Sequence, residues 1–242
     1  MARDDASRPG GRREFLEWLG KSAVVSLSLL ALEGCGGLSG TGEEGLSPAS
    51  GLEFRPGPRP GGRLGDWPER TVDRQDPRRL MASWRLTVEG LVEKPAVFTF
   101  EDLLRLPRRD QVTDFHCVEG WSVHDVPWNG LHARDLAERV RPLASATHVT
   151  LHTVGGTYNE SVPLSVLMEP RSLLAYGVAG NTLPLRHGFP LRLVVPRLLG
   201  YKNAKYVERL EWTDHAEAAY WTVRGYDYSG EVEPSRLRPG KW

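Results

Sequence analysis

Apolar and polar residues alternate at Trp84, Leu86 and Val88 against Arg85, Thr87 and Glu89, the period-two pattern of a half-buried strand, and Gly90 marks a bend after it. Thr99 with Asp102 three residues on has the form of a capping box, which predicts a short helix that ends by Pro107. Strand character returns over residues 111–115. The following stretch, with Gly120, Pro127 and Gly130, reads as a loop leading back to a helix. In that helix Ala133, Leu136, Ala137 and Val140 recur at i, i+3, i+4, i+7, while Arg134, Glu138, Arg139 and Arg141 form a solvated face. Residues 147–154 alternate again, Gly155 and Gly156 turn the chain, and residues 158–162 follow as a further strand. Leu191, Leu193 and Val195 repeat the period of two, and Val207, Leu210 and Trp212 mark a last buried segment. Strands dominate, helices are short, and neither a βαβαβ rhythm nor an internal repeat is present. The pattern predicts one α+β domain of mixed strands and short helices over residues 81–242.

The chain before this domain carries a different pattern. Residues 36–80 are rich in Gly, Pro and Ser and predict a linker or extended arm that wraps the domain in places, with order beginning near Trp84. In residues 1–35 the pair Arg12-Arg13 precedes an apolar run, residues 23–32, too short to span a bilayer. It resembles a twin-arginine export signal, against the alternative of an amphipathic helix. Cys35 follows Leu32-Glu33-Gly34, similar to a lipoprotein processing site except for Glu33, so lipidation, simple cleavage and an uncleaved tether all stay open. A Cys35–Cys117 disulfide is disfavoured because Cys35 lies in a disposable Gly-rich segment. The signal predicts a periplasmic protein, or one on the outer face of the cytoplasmic membrane, touching the membrane only through signal or lipid.

Lys+Arg and Asp+Glu balance at 31 each, which gives no basic field for nucleic acid. With 242 residues the chain is long enough for a substantial core. Attention therefore falls on Cys117, the one cysteine beyond the N-terminal region, at the junction of a strand and an irregular loop that can shape a pocket around it. A lone cysteine is more often a small buried hydrophobe. His116 and His124 nearby raise a cysteine-hydrolase alternative, for which the sequence supplies no geometry.

A second run, Leu173-Leu174-Ala175-Tyr176-Gly177 through Leu183-Pro184, His187-Gly188-Phe189-Pro190-Leu191-Arg192-Leu193-Val194-Val195-Pro196 and Gly200-Tyr201-Lys202-Asn203-Ala204-Lys205, resembles the cofactor-binding domain of the sulfite oxidase family of molybdopterin enzymes. The likeness extends from about Trp84 to Tyr228. It implies a molybdenum–molybdopterin cofactor, with Cys117 as the thiolate ligand of the metal. It also implies that His187, Arg192, Lys202, Asn203, Ala204 and Lys205 hold the pterin phosphate, and that Gly200 permits close backbone approach. Thr153 matches a cofactor-contacting threonine of a related methionine-sulfoxide-reductase branch. Tyr176 matches the sulfite oxidase branch, where the hydroxyl lies at the metal and serves catalysis. A core tyrosine is the alternative.

Two departures bear on the substrate. No arginine follows Cys117, where Val118-Glu119-Gly120-Trp121-Ser122 stands instead; Glu119 disfavours a small dianion unless it points away, and Trp121 makes the mouth apolar. The immunoglobulin-like and haem domains of true sulfite oxidases have no counterpart in this sequence. The resemblance therefore implies sulfite-oxidase-like oxygen-atom transfer at a Cys-ligated molybdenum, with a sulfoxide reductase of the methionine-sulfoxide-reductase type as the alternative and a small oxyanion or sulfoxide as substrate. A monomer would exchange electrons with a cytochrome or membrane haem protein, and the alternative is a ligand-binding member of the fold without chemistry.

Overall fold

The computed structural model describes residues 67–72, 80 and 83–242. The export signal, Cys35 and most of the predicted arm lie outside the described residues. Among the described residues, ten strands and three short α-helices follow in order: β1 (Leu86–Gly90), β2 (Ala96–Phe98), α1 (Phe100–Leu104), β3 (Arg108–His116), β4 (Ser122–His132), α2 (Ala133–Val140), β5 (His148–Thr153), β6 (Asn159–Pro163), α3 (Leu164–Leu167), β7 (Leu173–Val178), β8 (Asn181–Thr182), β9 (Arg192–Val194) and β10 (Val207–Thr213). This is the mixed α+β domain that the pattern predicts.

The strands form two five-stranded sheets. One has the order β2-β1-β10-β5-β6, with β1 and β10 parallel and the other pairs antiparallel. The other has the order β3-β4-β7-β8, and β9 also pairs with β7. Leu86, Val88, Val149, Leu151, Val207 and Leu210 from the first sheet join Leu131, Leu136, Val140, Leu174 and Leu193 in the larger core. A smaller core gathers Trp67, Phe115, Val126, Trp128, Leu173 and Val194. At α1, Thr99 Oγ1 accepts from the Asp102 amide at 3.1 Å while Asp102 Oδ2 accepts from the Thr99 amide at 2.9 Å, the predicted box.

One sequence expectation is overturned. Residues 122–132, expected as a loop, are the eleven-residue strand β4, which pairs with β3 on one edge and β7 on the other. Pro127 is tolerated because β7 pairing starts only at Trp128. On that edge Pro127 has no N–H to satisfy, and its carbonyl accepts from the Ala179 amide at 2.8 Å. Gly130 is present for space: a Cβ there would meet Leu174 O at 2.3 Å. Packing also starts before Trp84, since Trp67 is only 6% exposed and belongs to the smaller core.

Leu136 of α2 is fully buried in the larger core. Leu136→Ala should lower unfolding free energy by about 2–5 kcal/mol, read as a fall in urea midpoint at unchanged slope.

Candidate active site

β3 delivers Cys117 one residue past its last paired position, into the tight connection to β4. The Cys117 amide donates to Trp121 O at 2.9 Å and the Gly120 amide to Cys117 O at 3.2 Å; Gly120 has φ +94°, which favours glycine in this turn. Cys117 is 8% exposed. Burial pushes its thiol pKa up, opposed in part by the amides of Glu119 and Val118, which are directed at the sulfur. A segment after β10 clamps this turn from outside. Arg236 Nη2 donates to Cys117 O (3.1 Å), Trp121 O (3.0 Å) and Ser122 Oγ (3.2 Å). Two residues on, Arg238 donates from Nε (2.6 Å) and Nη2 (2.5 Å) to the carboxylate of Asp114 on β3. Burial would raise the Asp114 pKa, but Arg238, the Asp125 amide and His124 outweigh it and hold the carboxyl well below the usual range.

Cys117 lines a cavity of about 430 Å³ together with Thr153, His187, Arg192, Asn203, Ala204 and Lys205, seven of the residues the sequence selects. Arg192 is 2% exposed and has no carboxylate within ion-pair distance among the described residues. Its guanidinium donates to His187 O (2.9 Å) and Asn203 O (3.3 Å) and lies 5.2–5.6 Å from the ring centres of Trp67, Phe115 and Trp128. Desolvation lowers its pKa to about 9. Lys205 Nζ donates to Arg186 O at 3.0 Å and to Thr71 Oγ1; burial first, then the charge of Arg192, lowers its pKa to about 7. The Asn203 side chain donates to Leu198 O and Leu199 O and accepts from the Val195 amide, so it is occupied in holding the 195–199 loop. Thr153 Oγ1 donates to Tyr158 O at 2.9 Å. Gly200 does allow a close approach, but of Phe115, whose Cζ would lie 2.6 Å from an added Cβ.

Two selected residues stand elsewhere. Tyr176 is 1% exposed in the larger core, edge-on to Phe100 at 6.2 Å, and desolvation raises its pKa to about 12; it does not line the cavity. Its neighbours on β7 alternate between the two cores, and position 176 faces the larger one. Lys202, also 1% exposed, donates to Glu160 Oε1 (2.5 Å) and Ser161 O (2.9 Å), a buried ion pair behind the cavity wall.

Sequence reasoning missed the arm at residues 67–72 as part of the site. Trp67 lies 4.7 Å from His187 at a 32° interplanar angle and 4.7 Å from Phe115. Arg70 Nε lies 2.8 and 2.9 Å from the two Glu119 oxygens, and Trp121 Nε1 donates to Glu119 Oε2 at 2.8 Å. A tryptophan isolated in a Gly/Pro-rich stretch was the available signal. The outer wall is aromatic: Tyr158, Tyr201, Tyr220, Trp221 and Tyr226 line it, with consecutive ring contacts of 4.7–5.5 Å.

Among the described residues no group of three or more His, Cys, Asp or Glu could hold a metal ion. A metal at Cys117 must therefore bring other ligands with it, while unpaired Arg192 and Lys205 call for an anion. These residues fit a cofactor that supplies both its own metal ligands and a phosphate, as the pterin-based oxidoreductases use. The chain belongs to the family described as the oxidoreductase molybdopterin binding domain, whose profile matches residues 72–221. It is 38% identical over 151 residues to the uncharacterized oxidoreductase YuiH of Bacillus subtilis (strain 168), covering 62% of this chain and 76% of that one. With the protein-methionine-sulfoxide reductase catalytic subunit MsrP of Ralstonia nicotianae it shares 30% identity over 194 residues, 71% of this chain and 58% of the relative. With the putative protein-methionine-sulfoxide reductase subunit YedZ1 of Azospira oryzae it shares 37% over 149 residues, 62% and 56%. The chain thus spans little more than half of these two reductase subunits. The crystal structure of the sulfane dehydrogenase SoxCD from Paracoccus pantotrophus is similar with a TM-score of 0.51 and 30% identity, over 55% of this chain and 39% of that one. The sulfite-oxidase-type fold and the molybdenum–molybdopterin cofactor implied by the sequence both stand.

Arg236→Ala should raise the rate of Cys117 alkylation by iodoacetamide in the cofactor-free full chain about tenfold, with partial recovery in Arg236→Lys, because the turn loses its outer clamp. The cofactor-free chain should also gain stability as pH rises from about 7 toward the ordinary lysine range. Over that interval the unfolded Lys205 keeps its proton and the folded one has lost it; urea titrations at several pH values should show this slope, and Lys205→Met should lack it.

Proposed function

We propose that this chain is an exported molybdopterin oxidoreductase that removes oxygen from a neutral sulfoxide-type substrate. The single observation carrying the substrate class is the charge of the rim beside Cys117: its arginine, Arg70, is already taken up by Glu119, and the surrounding wall is aromatic. At this rim the charge of Arg70 is already engaged by Glu119, so a small oxyanion gains little from it, whereas a neutral thioether oxide meets apolar rings. The relatives whose names specify methionine sulfoxide reduction support the same direction. Oxyanion oxidation of the sulfite type is the lesser reading for the same reason.

When bound, the cofactor supplies the two-electron redox chemistry and the site of oxygen exchange. The residues of the chain provide its setting. Cys117 would ligate molybdenum as the thiolate, its negative sulfur supported by the amides of Val118 and Glu119. Arg192 and Lys205 would hold the phosphate, whose charge would relieve the desolvated cations. Trp67, His187 and Thr153 line the same cavity and would shape the cofactor site. Tyr176 and Lys202 act only through the scaffold. Overall, one sulfoxide takes up two protons and two electrons and leaves as one thioether and one water, the sulfur–oxygen bond being broken and the sulfur reduced. The electrons come from a cytochrome or membrane haem partner in the periplasm. No helix among the described residues is long and apolar enough to cross a membrane.

Protein exported from a molybdenum-replete host should contain equimolar molybdenum and pterin and should reduce methionine sulfoxide or dimethyl sulfoxide with a reduced dye. Cys117→Ser should lower kcat by at least about 10³-fold with the fold retained by circular dichroism. Folded protein lacking both metal and pterin would favour the ligand-binding alternative, and efficient sulfite oxidation with no sulfoxide turnover would reverse the substrate assignment.

A further inference from the structure

The Arg70–Glu119 pair is exposed, with side chains 59% and 43% accessible, and such pairs contribute little to folding. Three features make it more than a surface contact. Both residues line the cavity that contains Cys117. Glu119 is held twice, by Arg70 Nε at 2.8 and 2.9 Å and by Trp121 Nε1 at 2.8 Å, so its carboxylate cannot turn away from the rim without breaking both contacts. Arg70 is fixed in turn by Nη1 donating to Glu69 O at 3.1 Å, and its neighbour Thr71 accepts from Lys205 Nζ.

We propose that Glu119 is a specificity-determining residue: by engaging Arg70 it masks an oxyanion subsite at the mouth, and removing its charge converts the rim from one selective for neutral substrates to one that binds tetrahedral or pyramidal oxyanions. The inference deepens the sulfoxide reading and rests on it. A guanidinium released from a carboxylate presents a planar fork of donors suited to two oxygens of sulfate or sulfite. Glutamine keeps the size of Glu119 and an acceptor for Trp121 Nε1, but it no longer cancels the charge of Arg70.

The test measures sulfate as a competitive inhibitor of dye-driven dimethyl sulfoxide reduction by the cofactor-loaded full chain. In Glu119→Gln the sulfate inhibition constant should fall about tenfold, the change expected for one charge-assisted contact, with KM for the neutral substrate changed less than about twofold. The double variant Arg70→Gln/Glu119→Gln should lose this gain. Arg70→Gln alone should move the constant the other way, because it leaves Glu119 uncompensated, and this arm stands even where Glu119→Gln loads cofactor poorly. An unchanged constant in loaded Glu119→Gln or in Arg70→Gln, or an equal fall in the double variant, overturns the proposal. Failure of the underlying sulfoxide reading is seen separately, as a parent protein without molybdenum and pterin or without sulfoxide turnover.

Discussion

Most of the domain is arranged around the burial of one guanidinium. A charged group taken out of water is costly unless it is bonded and matched by opposite charge. Arg192 receives carbonyls from His187 and Asn203 and three aromatic faces, but no carboxylate among the described residues. To bring those partners together, β9 must lie on the free edge of β7, and Gly188 must take φ +112°, where a side chain would press on Arg192 Cβ and Lys205 Cβ at 3.1 Å. Asn203 must spend its own side chain tying the 195–199 loop. What is left is a positive charge complete in geometry and incomplete in electrostatics, which is the condition for tight binding of an anion that belongs to something else.

The thiol at the other side of the cavity is positioned by a different logic. The β3–β4 connection is a short turn whose amides already face the sulfur, so the backbone helps to aim the thiol. The two ends are joined by the arm at residues 67–72, in which Trp67 packs over the cation end and Arg70 reaches the turn beside the thiol. The wall between them draws on both cores: Trp67 and Phe115 come from the smaller, Ala204 and Tyr206 from the larger.

How much of this was legible in the sequence depends on the range of the forces involved. The capped helix α1, the amphipathic helix α2 and the alternating strands β1, β5 and β10 are local or period-driven, and they emerge where the pattern places them. β4 did not, because Gly120, Pro127 and Gly130 mimic a loop; what makes it a strand is pairing on both edges, with Gly130 required by contact with β7. The run from residue 173 to 205 pointed to the cavity through its resemblance to a cofactor-binding domain, which is readable because the motif is continuous along the chain. Tyr176 and Lys202 belong to that run but project away from the cavity, a consequence of strand alternation and of the Glu160 partner some forty positions earlier. The arm's place in the site was not legible for the opposite reason: the partners of residues 67–72, among them Glu119, His187, Arg192 and Lys205, are all far away in sequence.

The clamp by Arg236 and Arg238 sets an order of events during synthesis. Both arginines leave the ribosome after all ten strands, yet they fasten the turn that carries Cys117 and the β3 carboxylate beside it. A nascent chain can therefore assemble its sheets and cation end while the thiol turn is still loose. Closure of the thiol side therefore depends on a segment translated after every described strand, so the two sides of the cavity are completed at different times.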